Sequence, residues 1–306
     1  MINVALCTDD NYASHCAICA ASIFENNKRY DCCIYIITDG LNEENTARFQ
    51  QLSNIYSKPI RIIKADLSGF DKLQVTNHLG RSMYFRFLLP EIVQDDKVLY
   101  LDCDIIVRHS LEKLFDIDLD GKACGVVEDQ NGDDLRLHNP IMMFSRYFNS
   151  GVLLMNLNYW REHAVAQQIM DWIKKRKAPL MCPDQDALNV VLENRVVFLD
   201  YTYNFQQGLY KDKLVWLRAD KWPSVFEARK DPVIVHFTAG EKPWHTDCSH
   251  PLLAEYDHYT LLYPFLKEEK VRGHRWYFYL VEGIVNRLKD CYHWYRRKNG
   301  MIVNEV

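Results

Sequence analysis

The stretch that most limits what this chain can become runs from Lys97 to Val107 and reads K-V-L-Y-L-D-C-D-I-I-V. Val98 to Leu101 is too short and too rich in β-formers for a helix, so it is predicted to be a buried strand. The run ends on Asp102 and Asp104, two positions apart, and an extended backbone would turn both carboxylates to one side. Two acids leaving a core strand together repel unless a cation lies between them or one takes a proton. Oxygen ligands suit a hard divalent ion, Mg²⁺ or Mn²⁺, which keeps coordination positions open for diphosphate oxygens. A solvated strand end is the simpler alternative, and the apolar run directly ahead of the pair favours ligation.

The 306 residues are enough for one large α/β domain or two small ones. A formal charge of −4 speaks against nucleic acid as the main partner, because polyanion binders carry a basic excess. Several of the ten cysteines fall inside apolar segments, as small core residues do in a reducing compartment, which points to the cytoplasm. Cys16-Ala-Ile-Cys19 has redox or metal spacing, but it lies on a predicted helix and no second Cys/His pair accompanies it. The first residues, M-I-N-V-A-L, lack a basic leader and read as a strand, and no run approaches a membrane span.

Along the chain, strands at 3–7, 32–37 and 60–65 alternate with helices at 13–26 and 42–56, which predicts a parallel sheet covered by helices. Ligands then gather where the strands end. The first strand-to-helix loop, T-D-D-N-Y, has no glycine, so the dinucleotide fingerprint is missing and a Rossmann dehydrogenase is excluded. It carries Asp9, Asn11 and Tyr12 instead: a carboxylate and an amide for ribose or base, and a ring for stacking. Capping by Asp9 or Asp10 and core packing of Tyr12 are equally good readings of that loop alone.

Residues 81–89 read as helical up to Pro90, with Arg86 aimed at the sheet end near the aspartates. A strand over 123–127 delivers Glu128 and Asp129, and residues 131–146 read as a mobile loop over the site. Asn149 stands just ahead of the buried run V-L-L-M-N, and 160–177 reads as one helix. Pro183-Asp184-Gln185-Asp186 opens another, where Pro and acids suit the first turn but Gln185 has no such reason to be there. A late strand, 233–237, carries His236, and a glycine turn at Gly240 precedes Lys242. A lone His on an apolar strand is more often a core residue than a ligand. From 272 to 298 aromatic and apolar residues recur at helical spacing among arginines and lysines, which fits an anionic membrane surface or a docked terminal helix.

T-D-D-N-Y, Y-L-D-C-D, F-N-S-G-V-L-L-M-N, P-D-Q-D-A-L-N and H-F-T-A-G-E-K-P-W stand in the order and approximate spacing of glycosyltransferase family 8. The chain most resembles that family's bacterial lipopolysaccharide galactosyl- and glucosyltransferases. The resemblance implies a GT-A fold, an α/β Rossmann-like mixed sheet flanked by helices, over residues 1–250, with a helical, basic and aromatic C-terminal extension over 251–306. It implies a UDP-sugar donor, UDP-galactose or UDP-glucose, and transfer with retention to a saccharide or lipid-linked saccharide acceptor, at the inner face of the cell membrane. Asp102, Asp104 and His236 would hold Mn²⁺ or Mg²⁺, and Asp9, Asn11 and Tyr12 would hold uridine. Arg86, Asp129, Asn149, Asp184 and Gln185 would face the sugar, and Lys242 the diphosphate. Ala239 replaces the family's glycine three residues after the histidine, so backbone contact with phosphate is expected to shift to Gly240.

Two rival readings remain at this stage. A haloacid-dehalogenase phosphatase also ends a buried strand on D-x-D, with Asp102 as nucleophile and Glu128, Asp129 and Asp133 resembling its later acidic motif. About twenty-five residues are too few to hold that fold's intervening motifs. A nucleotide-sugar-binding protein without turnover is the other.

Overall fold

The structure of the chain, a computed structural model, describes residues 1–66, 81–138, 146–176, 180, 182–238 and 240–271. Residues 67–80, residues 139–145 of the loop expected over 131–146, Ala239 and the 272–298 segment lie outside the described residues.

Seven strands form the main sheet: β1 (Ile2–Cys7), β2 (Cys32–Thr38), β3 (Ile60–Lys64), β4 (Lys97–Leu101), β6 (Cys124–Glu128), β7 (Phe148–Asn156) and β8 (Val196–Phe198), in the order β3-β2-β1-β4-β7-β6-β8. The first half is parallel, as the βαβ alternation predicts. β7 runs antiparallel to both β4 and β6, which makes the sheet mixed. Three short strands, β5 (Ile105–Val107), β9 (Phe205–Gln206) and β10 (Ile234–His236), build a second sheet in the order β5-β10-β9. The chain passes from the first sheet to the second between Leu101 and Ile105, at the acidic pair.

Both faces of the main sheet are covered, and the strand period of two decides which side chain meets which layer. Val4 and Leu6 pack toward α1 (Ala13–Asn26) and α2 (Glu43–Tyr56). Ala5 and Cys7 pack on the other face with Phe85, Phe87 and Trp160. Cys16 and Cys19 are fully buried in α1, where burial pushes both thiols well up, so the C-x-x-C pair is core and not a reactive site. Tyr256 and Tyr259, from the helix Leu253–Leu262, join the α1 side of the core, and the Tyr256 hydroxyl meets His15 Nδ1 at 2.8 Å. Among the described residues no helix is long and apolar enough to cross a membrane.

Several boundaries differ from expectation. Pro90 does not end its helix: a 3-10 segment, Arg81–Leu88, leads into Leu89–Ile92, and Pro90 sits in that helix's first turn, where its missing N–H costs nothing. The single helix expected over 160–177 is two, Leu157–Glu162 and Val165–Lys174, broken where Ala164 takes a left-handed φ of 46°. The loop expected from 131 begins as a helix, Gly132–His138. Asn149 lies inside β7, and a register shift in the pairing occurs between Val126 and Val127.

His15 and His250 both sit in this core, and burial pushes them down to about 3 and about 4 from 6.5. A depressed base leaves the folded chain neutral where the unfolded chain already binds protons, so stability is full above pH 6.5 and falls below it. Urea titrations from pH 6.5 down to 5 should show a loss steepening toward two protons, about 2.7 kcal/mol per pH unit, and easing again near pH 4 as His250 protonates in the folded chain. His15→Phe and His250→Phe should each remove about half of that slope.

Candidate active site

The strand end at Leu101 meets β7 through Asp102, whose backbone N–H donates to the Gly151 carbonyl at 2.9 Å. Residues 102–104 turn instead of continuing as strand, so the convergence of the two carboxylates does not come from strand alternation. Pairing of His236 with Ile105 and the bond from Phe237 N–H to the Asp104 carbonyl bring the imidazole over the turn. His236 Nε2 lies 3.1 Å from Asp104 Oδ1 and 3.8 Å from Asp102 Oδ2. One ligand atom from each of the three side chains falls within 4.8 Å of the others, the one such cluster found among the described residues.

The imidazole is set up to ligate. Gly151 N–H, which can only donate, fixes Asn149 Oδ1 as its acceptor at 3.0 Å. Asn204 Nδ2 donates to that same oxygen at 2.9 Å, which leaves Asn204 Oδ1 facing His236 Nδ1 at 2.9 Å. A carbonyl oxygen only accepts, so Nδ1 carries a hydrogen and Nε2 is the nitrogen that faces the aspartates, the one available to an ion that displaces its proton. Gly151 is needed for this approach: a Cβ there would lie 2.2 Å from His236 Cε1 and 2.8 Å from Asp102 Oδ2. Two carboxylates and an imidazole nitrogen turned toward them suit a divalent ion with mixed oxygen and nitrogen ligands.

Arg86 is buried and links the acids on either side. Its Nη2 donates to Asp102 Oδ1 at 3.1 Å, Nη1 lies 3.2 Å from Asp184 Oδ2, and the guanidinium stands 4.4 Å over the Tyr100 ring. Tyr100 OH donates to the same Asp102 oxygen at 2.5 Å. Ser150 Oγ donates to Asp184 Oδ2 at 3.1 Å, and Ser150 N–H to Gln185 Oε1 at 3.0 Å. The amide nitrogen of Gln185 then faces Asp129 Oδ2 at 3.2 Å, where Asn149 Nδ2 also donates at 3.1 Å. Burial raises the Asp129 carboxyl above its ordinary value, with these amides and the Asn131 N–H working against it. Thus Arg86, Asp129, Asn149, Asp184 and Gln185 are brought together as expected. Asp186, by contrast, turns away to accept from Tyr147 OH at 2.8 Å.

Burial works to raise the Asp104 carboxyl, but Lys242 and His236 outweigh it and hold it well below the usual range. Lys242 Nζ donates to Asp104 Oδ2 and, at 2.9 Å, to the Phe237 carbonyl. Its loop is fixed by Trp244, which stacks on His15 with ring centroids 3.7 Å apart and meets Tyr12 edge-on at 5.6 Å. The uridine candidates lie beside it on the first loop. Asp9 Oδ1 accepts from Tyr12 N–H at 3.0 Å, Tyr12 is 44% exposed, and Asn11 is exposed. Asp10 is pinned by Asn42 and Asn45 at the start of α2. A Cβ at Gly240 would meet nothing within 4 Å, so crowding does not require glycine there.

Glu128 and Asp133, the acids the phosphatase reading draws on, face a different way. Glu128 is paired with Arg146 at 2.9 Å, Tyr201 OH at 3.1 Å and Lys221, and Lys221 also holds Asp133 at 2.9 Å. They clamp both ends of the turn that carries Asp129. Tyr100, Ser150, Asn204 and Lys221 carry roles that the sequence does not single out. Tyr100 and Ser150 sit inside recognised motifs, whereas Asn204 and Lys221 carry no local signal. A cavity of about 350 Å³ lined by Glu25, Lys28, Ile55, Tyr56, Lys58 and Tyr263 lies at the opposite end of α1, where Glu25 already accepts from Lys28, Tyr56 and Tyr263.

Gly151→Ala should separate the imidazole from Asp102 and lower Mn²⁺ affinity at least about tenfold, as titration calorimetry would show. Arg86→Met would leave buried Asp184 and half-buried Asp102 without their shared cation and should cost about 3 kcal/mol in urea unfolding.

The model for "Glycosyl transferase family 8" matches residues 3–248. The chain is 28% identical to General stress protein A of Bacillus subtilis over 272 residues, 85% of this chain and 93% of that protein. It is 30% identical to the lipopolysaccharide glucosyltransferase WaaO of Escherichia coli over 254 residues, 80% of this chain and 73% of that one. The crystal structure of the galactosyltransferase LgtC in complex with donor and acceptor sugar analogues superposes with a TM-score of 0.76 at 26% identity, over 85% of this chain and 96% of that one. The mixed sheet with its flanking helices is accordingly the GT-A fold, and the chain belongs to glycosyltransferase family 8.

Proposed function

We propose that this glycosyltransferase moves galactose or glucose, with retention, from its UDP-sugar to a saccharide or lipid-linked saccharide acceptor during synthesis of lipopolysaccharide or another surface glycan. The observation that carries the reading is the triad of Asp102, Asp104 and His236, with Nε2 turned toward the carboxylates and the Lys242 ammonium beside them. The relatives named for lipopolysaccharide glucosyl and 1,3-galactosyl transfer support the substrate class. The three ligands would hold Mn²⁺ or Mg²⁺, with the imidazole favouring Mn²⁺. A bound ion of this kind acts as a Lewis acid on the departing diphosphate.

The remaining steps belong to side chains. Lys242 adds positive charge where the β-phosphate becomes more negative. Tyr12 offers a ring to the uracil, and Asp9 and Asn11 offer polar groups to the ribose or base. Asp184 and Asp129 present carboxylates to sugar hydroxyls, and Arg86 holds Asp184 beside the metal carboxylate. Gln185 Oε1 is already engaged by Ser150 N–H and Asn149, and Asp184 Oδ2 by Arg86 and Ser150. Gln185 is not a free nucleophile and Asp184 is held in an ion pair with Arg86, which favours attack by the acceptor from the face that UDP leaves, its proton passing to a phosphate oxygen. The cytoplasmic location and a membrane role for 272–298 belong to the same proposal. Exposed Leu261, Leu262 and Val271 directly ahead of that segment are in keeping with it.

UDP release from UDP-galactose and UDP-glucose, with and without Mn²⁺, tests the reading. Slow, metal-dependent hydrolysis of one donor is expected, lost in Asp104→Asn; tight binding without release would instead identify a non-catalytic sugar-nucleotide sensor. Asp184→Asn should keep measurable turnover and show no glycosyl adduct by intact-protein mass spectrometry, whereas a trapped adduct would establish double displacement.

A further inference from the structure

Asn204 is fully buried, three residues after the turn opened by Tyr201 and directly ahead of β9, far in sequence from every motif of the site. Its side chain touches two functional groups at once. Oδ1 meets His236 Nδ1 at 2.9 Å, and Nδ2 donates to Asn149 Oδ1 at 2.9 Å. Asn149 in turn spends both hydrogens of its amide on Asp129 Oδ2 at 3.1 Å and Gln185 Oε1 at 3.2 Å. A continuous chain of buried amides therefore runs from the imidazole to the carboxylate and amide that face the donor sugar.

We infer that Asn204 is a positioning residue that ties the orientation of the metal-ligating imidazole to the orientation of the sugar-facing amides, so that metal affinity and sugar placement depend on one side chain. The inference rests on the reading of Asp102, Asp104 and His236 as metal ligands. Its physical content lies in the asymmetry of the amide. The oxygen end keeps the hydrogen on Nδ1 and so keeps Nε2 bare for ligation. The nitrogen end keeps Asn149 Oδ1 toward Gly151 N–H, which forces Asn149 Nδ2 toward Asp129 and Gln185. Replacing only the nitrogen end would leave the imidazole as it is but invite Asn149 to flip, withdrawing its hydrogens from both sugar-facing groups.

Two variants separate the ends. Asn204→Leu removes both, and Asn204→Asp keeps the acceptor for His236 while placing a second acceptor against Asn149. Mn²⁺ binding is measured by calorimetry on wild type, His236→Ala and both variants, together with kcat, donor KM and melting temperature. Asn204→Leu is expected to lose about 10–100-fold in Mn²⁺ affinity. Asn204→Asp is expected to bind Mn²⁺ within about threefold of wild type or more tightly, yet to lose at least about tenfold in kcat. Wild-type Mn²⁺ affinity in a folded Asn204→Leu variant would overturn the inference. So would an Asn204→Asp variant whose metal affinity, turnover and melting temperature fall together, the pattern of a merely structural residue. If His236→Ala binds Mn²⁺ as wild type does, the ligand assignment itself fails and the inference fails with it.

Discussion

Two carboxylates and an imidazole converge at the seam between two sheets, and their mutual repulsion is the constraint the surrounding structure answers. Burial works to raise the Asp104 carboxyl, Lys242 and His236 outweigh it, and Arg86 pairs with Asp102 from the opposite side. Each cation comes from a different part of the chain: one from the 3-10 segment before β4, the other from the loop after β10. The site is thus closed electrostatically only when both sheets are in place, which links folding of the seam to competence for a divalent ion.

Around that seam the polar groups divide into two networks with different purposes. One is made of amides and a hydroxyl, Asn149, Ser150, Gln185 and Asn204, in which backbone N–H groups fix Asn149 and Gln185 and Asn204 takes its orientation from Asn149. Buried amides linked in this way have little freedom to flip, so the donor atoms are arranged before any ligand arrives. The second is the ion-pair clamp of Glu128, Asp133, Arg146 and Lys221, which keeps its charges away from the first network and holds the Asp129 turn from below. Two acids adjacent in sequence, Glu128 and Asp129, therefore do unrelated work because successive residues at a strand end face opposite sides.

Much of this was legible in the residues. The helices over 13–26 and 42–56 and the strands of the first half follow from periodicity, and the aspartates stand where an apolar strand stops. What failed were features that depend on context. The break at Ala164 has no glycine or proline to announce it, and Pro90 reads as a stop unless a new helix is known to begin there. The alternation rule reached the right pair of acids by the wrong route, since 102–104 is a turn. Asn204 and Lys221 had no local mark, because their partners lie far away in the chain.

By itself the amino-acid sequence determined the secondary structure of the parallel half, the burial of its cysteines and the set of side chains capable of metal and sugar-nucleotide chemistry, because these follow from short-range pattern and residue type. The tertiary structure alone decided that His236 stands over Asp102 and Asp104 instead of packing as a core histidine. Its Nδ1 meets Asn204, its Cε1 edge rests against Gly151 and its Nε2 faces the aspartates, and none of this exists until the small sheet of β10 and β9 packs against β7.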